Sequence, residues 1–297
     1  SSPGSAAAPA WAQWTTKRGF DMYKTLLVPV DGRARSARSM EAAGKLAAQW
    51  DAHVVGLYVQ PPSQIPSYAR AEGGAVQLDE VYAKAVAEMT AQARARFDEG
   101  VKASGIARAE WRVGRGDPAA VMALHARYAD LVLVNQTDPE DERRTGFADA
   151  ILLSVGRPVL VLPYAGDAAV KADNVLVCWD AGREAARAVT DALPLLRRAK
   201  RVTVLSVDSR ASAGGHGEQP GADIALYLSR HGIKAEAART TSGGIDPGSV
   251  ILSRAFDYGT DLIVMGAYGH SRVREVLLGG ATRTILQQMT VPVLMSH

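Results

Sequence analysis

The sequence predicts an α/β protein of two tandem domains, each a parallel sheet flanked by helices. Short apolar runs alternate with stretches of helical periodicity, which is typical of βαβ units. The same order of runs occurs twice, and the length of 297 residues suits two domains of about 100–200 residues each. The alternative is that two similar halves arise by chance within one larger sheet, but the repeated order argues against it.

Five short apolar runs predict the strands of the first half, because runs of this length are typical of strands buried on both faces. They are residues 24–31, 53–59, 110–113, 130–134 and 158–162. Helices are predicted over residues 35–51, where apolar side chains recur at helical spacing, and over residues 79–104. Asp117 and Pro118 begin a further helix, since Asp is a good N-cap and Pro suits the first turn.

The second half repeats this order after a boundary in residues 165–173. Its strand candidates are residues 174–180, 202–207, 261–265 and 291–295, and Asp246-Pro247 repeats the helix start. We therefore place the domains at residues 22–165 and 171–297. Residues 1–21 show no apolar periodicity and are expected to be a disordered arm or a remnant outside the fold. The glycine-rich residues 209–221 are expected to be a mobile surface loop.

Composition excludes several classes of protein. The chain has 34 Lys and Arg against 31 Asp and Glu, so its net charge of +3 is too small to indicate a nucleic-acid partner. No run of about 18 apolar residues occurs, so no membrane-spanning helix and no membrane partner are expected. Cys178 is the one cysteine and cannot form a disulfide within the chain, which favours a reducing, cytoplasmic location.

A glycine-rich stretch after the fourth strand of the second half is the main candidate for a functional site. Gly266, Gly269, Gly279 and Gly280 follow a buried strand and precede a helix predicted over residues 281–288. Glycines let backbone N–H groups approach an anion, and the following helix adds its positive N-terminus. The alternative is that these glycines only make a tight turn. Because ligands of open α/β sheets bind at this end of the strands, the pattern favours a phosphate site.

The spacing Gly266-x2-Gly269-x9-Gly279 resembles the nucleotide-binding signature of the universal stress protein (UspA) family. Supporting residues are Asp31 and Asp180 at the ends of the two first strands, the two Asp-Pro helix starts, and residues 291–293. The resemblance extends over nearly the whole chain from residue 22, twice over. It implies two tandem flavodoxin-like (adenine nucleotide alpha hydrolase-like) α/β domains, each with five parallel strands in the order 3-2-1-4-5. It also implies ATP as the cofactor, with or without Mg²⁺.

Residues of the second half take their roles at the nucleoside end from this resemblance. Asp180 matches the acid that contacts the nucleoside, and Val207 matches a residue that packs on the base. Cys178 and Trp179 would line the adenine side, although Trp179 is equally well explained as a core residue. The strand-end residues beside the ribose are Met265 and Gly266.

The phosphate loop implied by the resemblance comprises Gly269, Gly279, Gly280, Ala281 and Thr282. The family usually has Ser or Thr directly after the third glycine, so Gly280 removes a hydroxyl contact that Thr282 would replace in part. A hydrogen bond to a charged group contributes about 1.5–3 kcal/mol, so weaker binding is expected. His270, beside Ser271 and Arg272 in the same loop, is either a phosphate contact or a solvated side chain.

The corresponding loop of the first half, residues 135–146, departs from the pattern. It is shorter, has Asn135 where the second half has Gly266, and carries acidic side chains at positions 138, 140, 141 and 142. Like charges repel an anion, so the first half is predicted to bind no ATP.

Catalysis is not expected beyond a slow ATPase. The glycine loop lacks the Gly-Lys-Ser/Thr signature, the second half shows no clear pair of metal-binding acids, and the histidines have no metal-ligand spacing. We therefore predict a protein that binds an adenine nucleotide and acts as a sensor or regulator of the stress response. The alternative is an interaction module that binds no nucleotide, and an enzyme of a related fold comes third.

The last strand of each half, residues 159–162 and 291–294, would leave an apolar sheet edge exposed. Since exposed apolar edges aggregate, we predict that these strands pair. Pairing within the chain gives a pseudo-dimer of the two domains, and pairing between chains gives a homodimer.

Overall fold

The protein folds into two similar α/β halves. The structure, a computed structural model, describes residues 22–31, 36–61, 75–137, 147–165, 169–208, 221–269 and 280–297. Several predicted features lie outside these ranges: residues 1–21, the loops at 138–146 and 209–220, and His270, Ser271, Arg272 and Gly279. What the sequence predicts for them stays a prediction.

Strands and helices alternate along the first half. In chain order they are β1 (Thr25–Pro29), α1 (Ser36–Trp50), β2 (His53–Gln60), α2 (Ala75–Ala103), β3 (Ala109–Arg115), α3 (Pro118–Ala126), β4 (Leu131–Asn135), α4 (Phe147–Ser154) and β5 (Val159–Leu162). Each predicted strand overlaps an observed one. Asp117 begins α3 as the sequence predicts, because its Oδ1 atom accepts a hydrogen bond from the N–H of Ala120 at 2.9 Å.

The second half repeats the alternation. Its elements are β6 (Asn174–Cys178), α5 (Arg183–Leu196), β7 (Arg201–Val207), α6 (Ala222–Arg230), β8 (Ala235–Thr240), α7 (Pro247–Asp257), β9 (Leu262–Gly266), α8 (Ala281–Gln288) and β10 (Val293–Ser296). Asp246 caps α7 as Asp117 caps α3, with Oδ2 accepting from the N–H of Ser249 at 3.0 Å. The sequence predicts α8, but no apolar run in the sequence predicts β8.

The strands of each half form a parallel sheet in the predicted order 3-2-1-4-5. In the first half this order is β3-β2-β1-β4-β5, and in the second half it is β8-β7-β6-β9-β10. The first strand therefore lies at the centre of each sheet, beside the fourth. Parallel pairing brings the carboxyl ends of neighbouring strands to one edge, and this places the ends of β6, β7 and β9 together.

The two sheets join through their last strands, so the predicted pairing occurs within the chain. β5 and β10 run antiparallel, with Val161 opposite Val293 and Val159 opposite Met295. The result is one sheet of ten strands. This contact covers the apolar edge that each half would otherwise expose.

Helices cover both faces of the continuous sheet, and each face has its own apolar layer. One layer packs α1, α2, α5 and α6 on the sheet, and the other packs α3, α4, α7 and α8. Both layers contain residues of both halves. Within the described ranges, every helix is too short or too polar to cross a membrane.

A carboxylate ties the central strand of each half to its neighbour. Oδ2 of Asp130, just before β4, accepts hydrogen bonds from the backbone N–H groups of Lys24 and Thr25 at 2.8 and 2.9 Å. Asp261, just before β9, accepts in the same way from Asp173 and Asn174 at 3.1 Å each. These contacts fix the register at the end of the sheet that lies opposite the glycine loop.

Candidate functional site

A cleft opens at the carboxyl ends of β6, β7 and β9, where the helices α5, α7 and α8 begin. It brings together residues that the sequence analysis assigned to the nucleotide site: Cys178, Trp179, Asp180, Val207, Met265, Gly266, Gly269, Ala281 and Thr282. Four lining residues were not predicted: Ala185, Leu205, Pro247 and Ile251. Gly280 is the N-cap residue of α8, directly before two of the lining residues.

One side of the cleft is apolar. Leu205 and Val207 come from the end of β7, Ile251 comes from α7, and Met265 comes from the end of β9. All but the half-buried Val207 are buried. Such a wall suits the flat, largely apolar face of an aromatic ring. Ile251 and Pro247 belong to it because the Asp-Pro start places α7 over the ends of these strands.

Asp180 is exposed at the mouth of the cleft, on a turn that fixes its carboxylate. Its Oδ1 atom accepts a hydrogen bond from the N–H of Gly182 at 2.7 Å. Ala181 takes the left-handed φ of 57°, and a Cβ atom at Gly182 would lie 2.9 Å from the same carboxylate oxygen. A side chain at position 182 would therefore disturb the carboxylate.

Gly266 is needed for a close approach between β9 and α5. A Cβ atom at this position would lie 2.5 Å from the backbone nitrogen of Ala185 and 2.7 Å from the carbonyl carbon of Glu184. Both are backbone atoms, which cannot move aside as a flexible side chain does. The first glycine of the signature thus sets the spacing between the strand end and the first turn of α5.

The start of α8 supplies donors for an anion. Gly280 has no side chain to cap the helix, and Ala281 and Thr282 of the first turn line the cleft. Thr282 is buried, and its Oγ1 atom accepts a hydrogen bond from the N–H of Tyr268 at 3.2 Å, which ties the loop after β9 to the helix. A hydroxyl group can accept and donate together, so the donation predicted for Thr282 stays available.

The Cys178 side chain is not a nucleophile at neutral pH. Burial, with a smaller effect of the neighbouring Asp180 carboxylate, raises the pKa of the Cys178 thiol to about 12. The thiol is therefore protonated, and Cys178 contributes apolar surface to the cleft. Among the described residues, no group of three or more His, Cys, Asp and Glu side chains is placed to hold a metal ion.

The first half uses the equivalent positions differently. Ser36 donates from Oγ to Oδ1 of Asp31 at 2.7 Å, and the N–H of Asp31 donates to the same hydroxyl at 3.2 Å. The carboxylate that matches Asp180 is thus bound to the first residue of α1. Asn135 ends β4, where the second half has Gly266.

Contacts from the first half reach the loop after β9 and the far end of α8. Tyr268, between Gly266 and Gly269, donates from its hydroxyl group to Asp149 in the first turn of α4. At the far end of α8, Nε2 of Gln136 donates to the carbonyl oxygens of Leu286 and Gln287 at 2.9 and 3.0 Å. Sequence analysis missed these contacts because no local pattern shows which residues of one half meet the other.

Comparison with known proteins gives the same family for both halves. The model of the universal stress protein family matches residues 22–162 and 171–297. The universal stress protein Slr1230 of Synechocystis sp. is 45% identical over 38 residues, and this match spans 13% of the chain and 13% of that relative.

One solved structure aligns with nearly the whole chain and has a similar fold. A universal stress protein from Archaeoglobus fulgidus DSM 4304 aligns with a TM-score of 0.71 and 17% identity, over 93% of this chain and 97% of its own. A universal stress protein from Archaeoglobus fulgidus in complex with dAMP aligns over 47% of this chain and 98% of its own, with 17% identity and a TM-score of 0.32. The family model covers both halves, and the fold agrees with it. The chain therefore belongs to the universal stress protein family, as a tandem member with two domains.

Proposed function

We propose that the second domain binds an adenine nucleotide, with ATP as the expected ligand, and that the protein acts as a sensor or regulator in the stress response. The observation that carries the proposal is the cleft itself. It combines an apolar wall, the Asp180 carboxylate and the glycine-capped start of α8 within one opening at the carboxyl edge of the sheet.

Each part of the cleft suits one part of the ligand. The wall of Leu205, Val207 and Ile251 would pack on the base, and the Asp180 carboxylate would accept from hydroxyl groups of the ribose. The positive N-terminus of α8 would bind the phosphate through the backbone N–H groups of Ala281 and Thr282.

Binding rather than catalysis is proposed. Among the described residues that line the cleft, the ionisable side chains are Asp180 and Cys178, and the Cys178 thiol is protonated. This set includes no lysine or histidine to stabilise a transferring phosphoryl group or to act as a general base.

A sensor also needs a way to report that the cleft is occupied. The N-terminus of α8 lines the cleft, and its last carbonyl groups accept hydrogen bonds from Gln136 of the first domain. A ligand that shifts α8 would therefore act directly on the contact between the domains.

Calorimetric titration of ATP, with and without Mg²⁺, tests the proposal. Val207→Trp places an indole ring in the apolar side of the cleft and is expected to weaken binding at least about tenfold. Val59→Trp is the matched control, because Val59 occupies the same position on β2, is also half-buried and packs against the same apolar layer.

The outcomes separate the alternatives. Weak binding by Val207→Trp together with normal binding by Val59→Trp supports the proposal. If folded wild-type protein gives no binding heat with ATP, ADP or AMP, the proposal is wrong, and the interaction module without a nucleotide becomes the better hypothesis. If Val59→Trp weakens binding as much as Val207→Trp, the ligand does not bind in this cleft.

A further inference from the structure

Glu184 brings a second carboxylate to the loop of the candidate nucleotide site. A Cβ atom built on Gly269 would lie 3.6 Å from Oε2 of Glu184 and 3.7 Å from Oδ2 of Asp180. The Glu184 side chain is only 13% exposed, whereas its ion-pair partner Arg183, at 3.3 Å, is 95% exposed. The arginine is thus strongly hydrated and neutralises the largely shielded Glu184 carboxylate weakly.

The fold holds Glu184 in this position. Gly266 packs against the backbone of Glu184 and Ala185, so the first turn of α5 cannot move away from β9 without breaking this contact. The carboxylate also lies in the first turn of α5, where the positive end of the helix stabilises a negative charge. The Glu184 carboxylate is therefore held beside Gly269, a residue that lines the cleft, and does not swing into solvent.

The starts of α5 and α8 consequently differ in charge. The start of α8 has a glycine cap that makes no side-chain hydrogen bond, and its positive end favours a bound phosphate group. The first turn of α5 carries the Glu184 carboxylate, and the turn before the helix carries the Asp180 carboxylate, both beside Gly269. A single phosphate at α8 meets favourable dipoles, but each further phosphate adds negative charge that the two carboxylates repel.

We propose that Glu184 determines how many phosphate groups the site accepts, so that without a divalent cation the site prefers an adenosine monophosphate to ATP. This inference rests on the proposed function, because it concerns the same cleft. The equivalent position of the first half, counted from the strand-end aspartate, is Arg35, so the acidic side chain is particular to the second half.

Titration of AMP and ATP in the presence of a chelator tests the proposal. Wild-type protein is expected to bind AMP at least about tenfold more tightly than ATP. Glu184→Gln removes the charge and keeps the shape, so it should raise ATP affinity at least about fivefold while AMP affinity changes less than about twofold. Glu184→Arg, which introduces the residue type of position 35, should favour ATP further.

Glu236→Gln is the matched control, because Glu236 is exposed near the start of β8, at the opposite end of the sheet. It should leave the ratio of the two affinities unchanged. The proposal is overturned if wild type binds ATP as tightly as AMP without a divalent cation, or if both Glu184 variants keep the wild-type ratio. If neither nucleotide binds to folded wild-type protein in the chelator or with Mg²⁺, the proposed function itself is wrong, and this outcome is distinct from the other two.

Discussion

Asp191 of α5 shows how a single residue takes on two tasks at the contact between the domains. Its backbone carbonyl oxygen accepts from the Tyr23 hydroxyl of the first domain at 2.6 Å. Its Oδ2 atom accepts from Oγ of Ser296 at 2.8 Å and lies 3.6 Å from Nε of Arg187. Burial raises the pKa of the Asp191 carboxyl group, and Ser296 and Arg187 oppose this effect without cancelling it.

This raised pKa gives a prediction about stability. Because the folded-state pKa lies above the unfolded one, the stabilising contribution is complete below the unfolded pKa and is lost as pH rises through the folded pKa. Asp191→Asn removes this dependence. The variant should therefore gain stability relative to wild type as pH rises from about 3 to about 7.

Urea unfolding at several pH values measures the difference between Asp191→Asn and wild type. Asp98→Asn, which changes an exposed aspartate on α2, controls for the loss of one negative charge. A difference between Asp191→Asn and wild type that stays constant with pH would contradict the prediction.

A residue of the candidate site could be predicted from the sequence where it belongs to a short, recognisable sequence pattern. The Asp180 strand end, the glycines after β9 and the start of α8 follow from short patterns, and the structure places the described ones together in the cleft. Leu205 and Ile251 have no such pattern, because an apolar residue that lines a cleft looks like any core residue. The sequence gives no indication of the role proposed for Glu184, since an acid in the first turn of a helix usually indicates only a favourable helix dipole.

At the scale of elements, sequence predicted best those strands that are buried on both faces. β8 was missed because its sequence, AEAART, contains little apolar surface and forms the outer strand of the sheet. An outer strand with partly exposed faces does not need a run of apolar residues. The sequence pattern that predicts such a strand is therefore weak.

The packing of α7 on α8 depends on one glycine. A Cβ atom at Gly248 would lie 2.7 Å from Cβ of Thr284 and 2.9 Å from the carbonyl oxygen of Ala281, both in α8. The first domain has Ala119 at the equivalent position of α3. The absence of a side chain at Gly248 therefore lets α7 approach the end of α8 that would bind phosphate.

Gly248→Ala should push the first turn of α8 away and lower affinity for the nucleotide that wild type binds. Overpacking costs about 1–3 kcal/mol, and the higher helix propensity of Ala offsets about 1 kcal/mol of this. Calorimetric titration and chemical unfolding measure the two effects. The reciprocal variant Ala119→Gly should lower the free energy of unfolding but leave nucleotide affinity unchanged. Wild-type affinity in Gly248→Ala would show that the close approach of the helices is not needed for binding.

At the scale of the whole molecule, the two domains are bound to each other by more than the β5–β10 pairing. Both apolar layers continue from one domain into the other. Hydrogen bonds also join the two domains. Arg187 of α5 donates to the carbonyl oxygen of Gly156, and Gln136 donates to the end of α8. Sequence predicted that the edge strands pair, but the partners of Gln136 depend on how the second domain is oriented on the first.

Gln136 provides the test of this contact. Gln136 is 5% exposed, and its side chain joins three backbone groups. Nε2 donates to the carbonyl oxygens of Leu286 and Gln287, and Oε1 accepts from the N–H of Tyr164 at 2.7 Å. Gln136→Leu keeps the approximate size but leaves these groups without their partner. An unsatisfied buried polar group costs about 1–3 kcal/mol, so the free energy of unfolding should fall by at least about 1 kcal/mol.

Chemical unfolding followed by circular dichroism measures the loss. Gln49→Leu, at an exposed position of α1, makes the same chemical change away from the contact between the domains. It should alter stability by less than about 0.5 kcal/mol. Equal stabilities of the two variants would mean that the hydrogen bonds of Gln136 do not hold α8 to the first domain. The proposed route through the far end of α8 would then lose its structural basis, because that route depends on the hydrogen bonds of Gln136.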